Sequence, residues 1–176
     1  MKNAVDEERP VGTPLPDERA STLVLGLGNI LLSDEGVGVR AVEALIEQVP
    51  LPPDVEVLDG GTSGMDLLDQ MAGRAHLIVV DAVRTGRPPA SVVRLAGDEV
   101  PAFFSSRLSP HQLGLSDVLA VLRLMDAAPG RITVIGVEPV SLDLDLALSP
   151  AVAARLQEVV ALTCAQLAIP SGNGHT

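Results

Sequence analysis

Four side chains in this sequence have the chemistry to bind a metal ion or move a proton, and each stands at a junction between elements: Glu35, Asp59, Asp81 and His111. Glu35 follows Asp34 in a glycine-rich stretch, Gly26-Leu-Gly-Asn-Ile-Leu-Leu-Ser-Asp-Glu-Gly-Val-Gly38, directly after the first apolar run. Asp81 ends a run of four apolar residues, Leu77–Val80. His111 precedes a helical pattern in Leu108-Ser-Pro-His-Gln-Leu-Gly114. Glu35, Asp81 and His111 together make a set of two carboxylates and one imidazole, which suits a divalent metal ion.

Each residue also has a plainer reading. Asp34 and Glu35 at the start of a helix can offset its macrodipole and satisfy free N–H groups. Capping explains Glu35 less well than Asp34, because Gly36 and Gly38 weaken the helix that a cap should strengthen. Asp81 at the end of a buried strand is partly desolvated, a cost that either a metal or a neighbouring N–H group can offset. A histidine in a loop is commonly just solvated, and Asp59-Gly-Gly-Thr62 is ordinary turn chemistry. What raises their weight is position. In an open α/β sheet, ligands bind beyond the carboxyl ends of the strands, and all four fall there.

The elements that would hold them alternate. Thr22–Leu27 reads as a buried strand, and Val42, Leu45, Ile46 and Val49 mark one face of a helix that Pro50 ends. Val55–Leu58 is a short strand, and Met65, Leu67, Leu68 and Met71 mark a short helix closed by Gly73. His76–Val83 contains an uninterrupted apolar run, Leu77-Ile-Val-Val80, as in a strand covered on both faces. The turn Arg84–Pro89 is too short for a helical crossover, so the strand Ser91–Ala96 is expected to run antiparallel, at an edge. A long loop, Gly97–Pro110, leads to a helix over about 116–127, and Ile132–Val137 is the last strand. Ser149-Pro150 caps a final helix reaching about Ala168. The order β-α-β-α-β-β-α-β-α predicts a single α/β domain over 21–169: a five-stranded, mostly parallel sheet with one antiparallel edge strand and helices on both faces. Residues 1–20, polar and Pro-rich, and 170–176 read as flexible tails.

Composition narrows the function. The net charge is −11 with no basic stripe, so phosphate backbones are repelled. With two Phe and no Trp or Tyr there is no stacking platform for single-stranded nucleic acid. The lone Cys164 forms no internal disulfide and reads as a buried core residue. No run approaches the roughly 18 apolar residues of a membrane helix, and the N-terminal residues lack the apolar region of a secretory signal. A cytoplasmic monomer is expected. Gly26-Leu-Gly28 suggests a competing reading, a non-catalytic nucleotide-binding or adaptor module. Against it, Leu31 stands where the fingerprint needs a third glycine, and the acidic pair would meet the pyrophosphate.

Five motifs stand in order: the Gly26–Gly38 stretch, Asp59-Gly-Gly-Thr62, Val79-Val-Asp-Ala82, Ser109-Pro-His-Gln-Leu-Gly-Leu-Ser-Asp-Val-Leu119 and Ile135-Gly-Val-Glu-Pro139. In this the chain, over about Thr22 to Ala168, resembles the hydrogenase maturation endopeptidases that process the large subunit of NiFe hydrogenases. The resemblance implies a three-layer α/β/α sandwich and a cytoplasmic enzyme that removes a C-terminal extension from the large-subunit precursor after nickel insertion. It implies that Glu35, Asp81 and His111 recognise that nickel, which the substrate supplies, and that zinc or cadmium can occupy the same ligands in vitro. Asp59 matches a position tied to substrate processing and is the candidate catalytic residue. The chain departs from the family pattern at Leu32-Ser33, where an aromatic residue commonly precedes the acidic pair, and in its acidic, Pro-rich N-terminal extension.

Overall fold

A computed structural model describes residues 20–101 and 110–168; the side chains of 110–113 fall outside what it describes. Five strands form one sheet: β1 (Thr22–Leu27), β2 (Val55–Gly61), β3 (His76–Ala82), β4 (Val92–Ala96) and β5 (Arg131–Val137). Their order is β2-β1-β3-β5-β4. All neighbours pair in parallel except β4 with β5, so the predicted antiparallel edge strand is there. Helices α1 (Val37–Gln48), α2 (Leu68–Met71), α3 (Pro110–Leu124), α4 (Pro150–Ala153) and α5 (Leu156–Leu167) cover the faces.

Strand alternation sorts the core into two layers. Leu23, Leu25 and Leu27 of β1 join Leu77 and Val79 of β3 against Met71 of α2 and Leu115, Val118, Leu119 and Leu122 of α3. On the other face Val24, Ile78 and Val80 meet Val37, Ala41, Val42 and Leu45 of α1, with Val152, Val159 and Val160 of α4 and α5. Among the described residues the core of the α/β/α sandwich is aliphatic, each fully buried Leu or Val contributing about 1.5–3 kcal/mol.

Three expected boundaries move. α3 starts at Pro110 rather than near 116, because Pro is well placed in a first turn, where its missing N–H is not needed. His111 thus lies on a helix, not in a loop. The strand expected at 55–58 continues through Asp59, Gly60 and Gly61. The final helix is two pieces, separated by a tight bend in which the Arg155 N–H bonds the Val152 carbonyl at 2.9 Å. Ser149 caps α4 as expected, accepting from the Val152 N–H. Among the described residues no helix is long and apolar enough to cross a membrane. The predicted tails lie outside the described residues.

Candidate functional site

After β1 the chain turns through α1 to β2 on one side, then returns to β3 on the other side of β1. The strand order reverses between β1 and β3, and in open α/β sheets the ligand crevice lies at such a reversal, beyond the carboxyl ends of the strands. Glu35 follows β1 and Asp81 lies near the end of β3, so both stand at that reversal.

Glycines bring the Glu35 turn close to the sheet. A Cβ on Gly38 would lie 2.1 Å from the Val80 carbonyl oxygen and 2.3 Å from that of Leu27, so only glycine lets α1 start in the notch between β1 and β3. Gly28 has φ +127, and a Cβ there would lie 1.7 Å from the Glu35 carbonyl oxygen. The space that a dinucleotide phosphate would need is filled by the chain's own backbone. The glycines thus serve packing, and the partner whose close approach they allow is the sheet itself.

Asp34 is not a helix cap. Its side chain is wholly buried and reaches the segment after β5. Its Oδ2 accepts from the N–H groups of Val140 and Ser141 at 2.9 Å each and from the Ser149 hydroxyl at 2.8 Å, and its Oδ1 from the Ser149 N–H at 2.7 Å. Burial by itself would raise this carboxyl, but the donors of Ser141, Ser149 and Val140 outweigh it and hold the group below the usual carboxylate range. The turn is tied down further by the Ser33 hydroxyl donating to the Ala147 carbonyl at 3.0 Å. It is also tied by backbone bonds between 31–34 and 141–145.

Asp81 is buried, and its carboxyl is pushed up to about 7. Desolvation is the main cause, the Ala82 N–H offsets part of it, and the negative charge of Glu35 adds to it. The Glu35 turn lies beside the end of β3, since Gly38 packs directly on the Val80 carbonyl. Glu35 is half-buried, with its Oε2 sheltered from solvent. Strand alternation puts Asp81 on the face of Leu77 and Val79, the face that α3 covers. His111 lies in the first turn of α3; its side chain is outside the described residues. Among those residues no group of three His, Cys, Asp or Glu forms a metal cage. Two of the three proposed ligands are thus brought together, and the helix bearing the third is aligned on their face.

Asp59 is exposed at the end of β2, its Oδ1 accepting from the Gly61 N–H at 2.9 Å in an Asx turn. The loop that follows packs on α3: a Cβ on Gly114 would lie 3.4 Å from Gly64 Cα. Gly61–Gly64, Leu67, Gly114 and Leu115 enclose a cavity of about 70 Å³ with Leu27. Asp66, Asp69, Asp143 and Asp145 are exposed. Cys164 packs against the core but is only half-buried.

A further buried acid was not singled out from the sequence. Glu138 leaves β5 as Asp81 ends β3, and its Oε1 accepts from the Thr85 N–H, the Thr85 hydroxyl and, at 3.1 Å, the Arg87 N–H. The sequence carries the same signal for both, an acid closing a buried apolar strand.

The profile of the HycI hydrogenase maturation protease family matches residues 39–166. Hydrogenase 2 maturation protease of Escherichia coli K12 is 49% identical over 146 residues, 82% of this chain and 89% of that one. The hydrogenase expression/formation protein HupD of Rhodobacter capsulatus is 46% identical over 141 residues, 79% of this chain and 67% of its own. The solved structure of the hydrogenase maturating endopeptidase HybD from E. coli aligns with a TM-score of 0.80 at 49% identity, covering 83% of this chain and 91% of that one. The NiFe hydrogenase maturation protease HybD from Thermococcus kodakarensis aligns with a TM-score of 0.70 at 29% identity, covering 83% and 98%.

Proposed function

The chain belongs to the hydrogenase maturation protease family, and from that premise we propose that it cleaves a C-terminal extension from the large-subunit precursor of a NiFe hydrogenase after nickel insertion, in the cytoplasm, reading the nickel through Glu35, Asp81 and His111. The observation that carries this reading is geometric: the turn bearing Glu35 is seated by Gly38 against the carbonyls of Leu27 and Val80, next to the end of β3 that bears the buried Asp81.

Two oxygen donors and an imidazole fit a divalent ion of the borderline class. Here the ion arrives as part of the substrate. Asp81 is itself partly protonated near neutral pH. A precursor without nickel gains no charge pairing from it. A precursor with nickel displaces that proton and fixes its own chain against the crevice. Binding energy is thereby withheld from the immature substrate, which is a recognition device rather than a rate device.

The scissile carbonyl is then held at the sheet edge, where Asp59 is exposed at the end of β2. In this reading Asp59 takes a proton from the attacking water, as a carboxylate base. The water oxygen bonds to the peptide carbonyl carbon, the carbon–nitrogen bond then breaks, and the proton held by Asp59 passes to the leaving amine.

The test is to incubate the chain with nickel-loaded and nickel-free precursor and follow the C-terminus by intact mass. Cleavage of the loaded form alone is expected. Equal cleavage of both, or of neither, overturns the nickel-gated reading.

A further inference from the structure

Beside the carboxylate pair the same sheet edge holds an open cleft of about 420 Å³, lined by Arg84, Gly86, Glu138, Pro139, Val140 and Leu142. Its walls are the segments that leave two adjacent strands. Arg84 and Gly86 follow β3, and Glu138 to Leu142 follow β5. Asp81 stands opposite Gly136 in that ladder, so both walls begin within three residues of the site's buried acid.

Both walls are braced from inside the protein. Glu138 takes the donors of Thr85 and Arg87, which fixes the β3–β4 connection. Asp34 takes the N–H groups of Val140 and Ser141, which fixes the segment after β5. A cleft whose sides are each tied to a buried carboxylate is preorganised to hold an extended ligand.

Its lining adds a charge. Arg84 is exposed and makes no hydrogen bond or ion pair with any described residue. The chain has 23 acidic residues against 12 basic ones, so a guanidinium left unmatched beside the site favours an anionic group. Val140, 49% exposed, and Leu142 supply apolar contact beside it.

We propose that this cleft is the subsite for the substrate polypeptide next to the scissile bond, and that Arg84 pairs there with a carboxylate of the C-terminal extension. The proposal rests on the proteolytic reading above. Any C-terminal extension carries at least one carboxylate, its own terminus, and an acidic side chain can supply another. A guanidinium fork suits a carboxylate from either source.

The experiment measures kcat and KM on nickel-loaded precursor for the wild-type protein, Arg84→Gln and, as a control outside the cleft, Arg123→Gln, exposed in the last turn of α3. Arg84→Gln is expected to raise KM about tenfold, the loss of one charge-assisted hydrogen bond, with kcat little changed. Added salt should narrow the gap, and Arg123→Gln should match the wild type. Two further precursors, one ending in an α-amide and one with the acidic side chains of its extension made amides, separate the sources. The one that raises the wild-type KM to the Arg84→Gln value identifies the carboxylate. An unchanged KM for Arg84→Gln with an active wild type removes the subsite alone. If the wild type cleaves no precursor at all, the proteolytic reading falls and takes the subsite with it.

Discussion

The carboxylate of Asp34 takes both donors of Ser149, the backbone N–H at 2.7 Å and the hydroxyl at 2.8 Å, across 115 residues of sequence. With the Val140 and Ser141 amides it closes both ends of the segment that follows β5 onto the turn that carries Glu35. A structural acid and a proposed ligand are therefore neighbours in sequence with separate duties.

Asp34→Asn should be among the most damaging single changes to stability. The amide keeps one acceptor oxygen and turns an NH₂ toward donors, leaving buried N–H groups unsatisfied. A loss of about 2–4 kcal/mol in urea unfolding is expected, against about 1 kcal/mol for Ser149→Ala, which removes one hydroxyl. The sign with pH follows from the lowered Asp34 carboxyl. Its contribution is present above the unfolded-state value of 3.8 and is lost as pH falls through the lower folded-state value. A wild-type-like midpoint for Asp34→Asn at pH 7 would refute the clamp.

Asp81→Asn should behave oppositely in the free protein. A carboxyl raised from 3.8 to about 7 costs stability as pH rises through that window, since the unfolded chain gives up its proton first. The neutral amide escapes that cost. Asp81→Asn is expected to unfold at higher urea than wild type at pH 8, with the difference shrinking toward pH 5, and to lose processing of nickel-loaded precursor. Glu35→Gln should also lose processing. It should lower the Asp81 carboxyl, which NMR titration of the Asp81 side-chain carbon would detect. Normal processing by both variants would place the metal-reading site elsewhere.

His76 is a core group with its own acid limit. It is 1% exposed, and its Nδ1 lies 2.8 Å from the Arg131 guanidinium, which can only donate. The remaining proton is therefore on Nε2, donated to the Thr133 hydroxyl at 3.0 Å. Burial first, and the charges of Arg131 and Arg94 second, lower this imidazole from 6.5 to about 4. Between those values the unfolded state binds a proton that the folded state does not. Stability is then full above pH 6.5 and falls as pH drops, by up to about 3 kcal/mol. His76→Gln should flatten that slope in urea titrations at pH 7 and pH 4.5. An unchanged slope would mean the histidine charges freely in the fold.

Much of this was legible in the chain. The apolar runs at 22–27 and 76–82, the helical spacing of Val42 and Leu45, and the short Arg84–Pro89 turn give the strand directions and the antiparallel edge, because these are local signals. Glu35 and Asp81 were legible as a pair through their common position at strand ends. Asp34 was misread as a cap because its partners lie more than 100 residues away and are backbone amides, which no side-chain pattern announces. Glu138 carried the same strand-end signal as Asp81, but its partners, Thr85 and Arg87, lie about 50 residues away on another connection. The early start of α3 was hidden by Pro110, which reads equally as a loop residue and as a first-turn residue.

The last prediction concerns metal in the free protein. If nickel comes with the substrate, protein purified without added metal should contain no stoichiometric ion by elemental analysis. Zinc or cadmium added in excess should still bind through Glu35, Asp81 and His111, since two carboxylates and an imidazole accept such ions. Binding must displace the proton that Asp81 holds near neutrality, so calorimetry in two buffers of different ionisation enthalpy should show proton release at pH 7. Affinity should fall as pH drops below about 7, where Asp81 takes up its proton. The weakness expected of an open three-ligand site should let a chelator strip the ion readily. A chelator-resistant ion present at one per chain from purification onward would make the metal the enzyme's own, and the reading in which the substrate brings it would have to be given up.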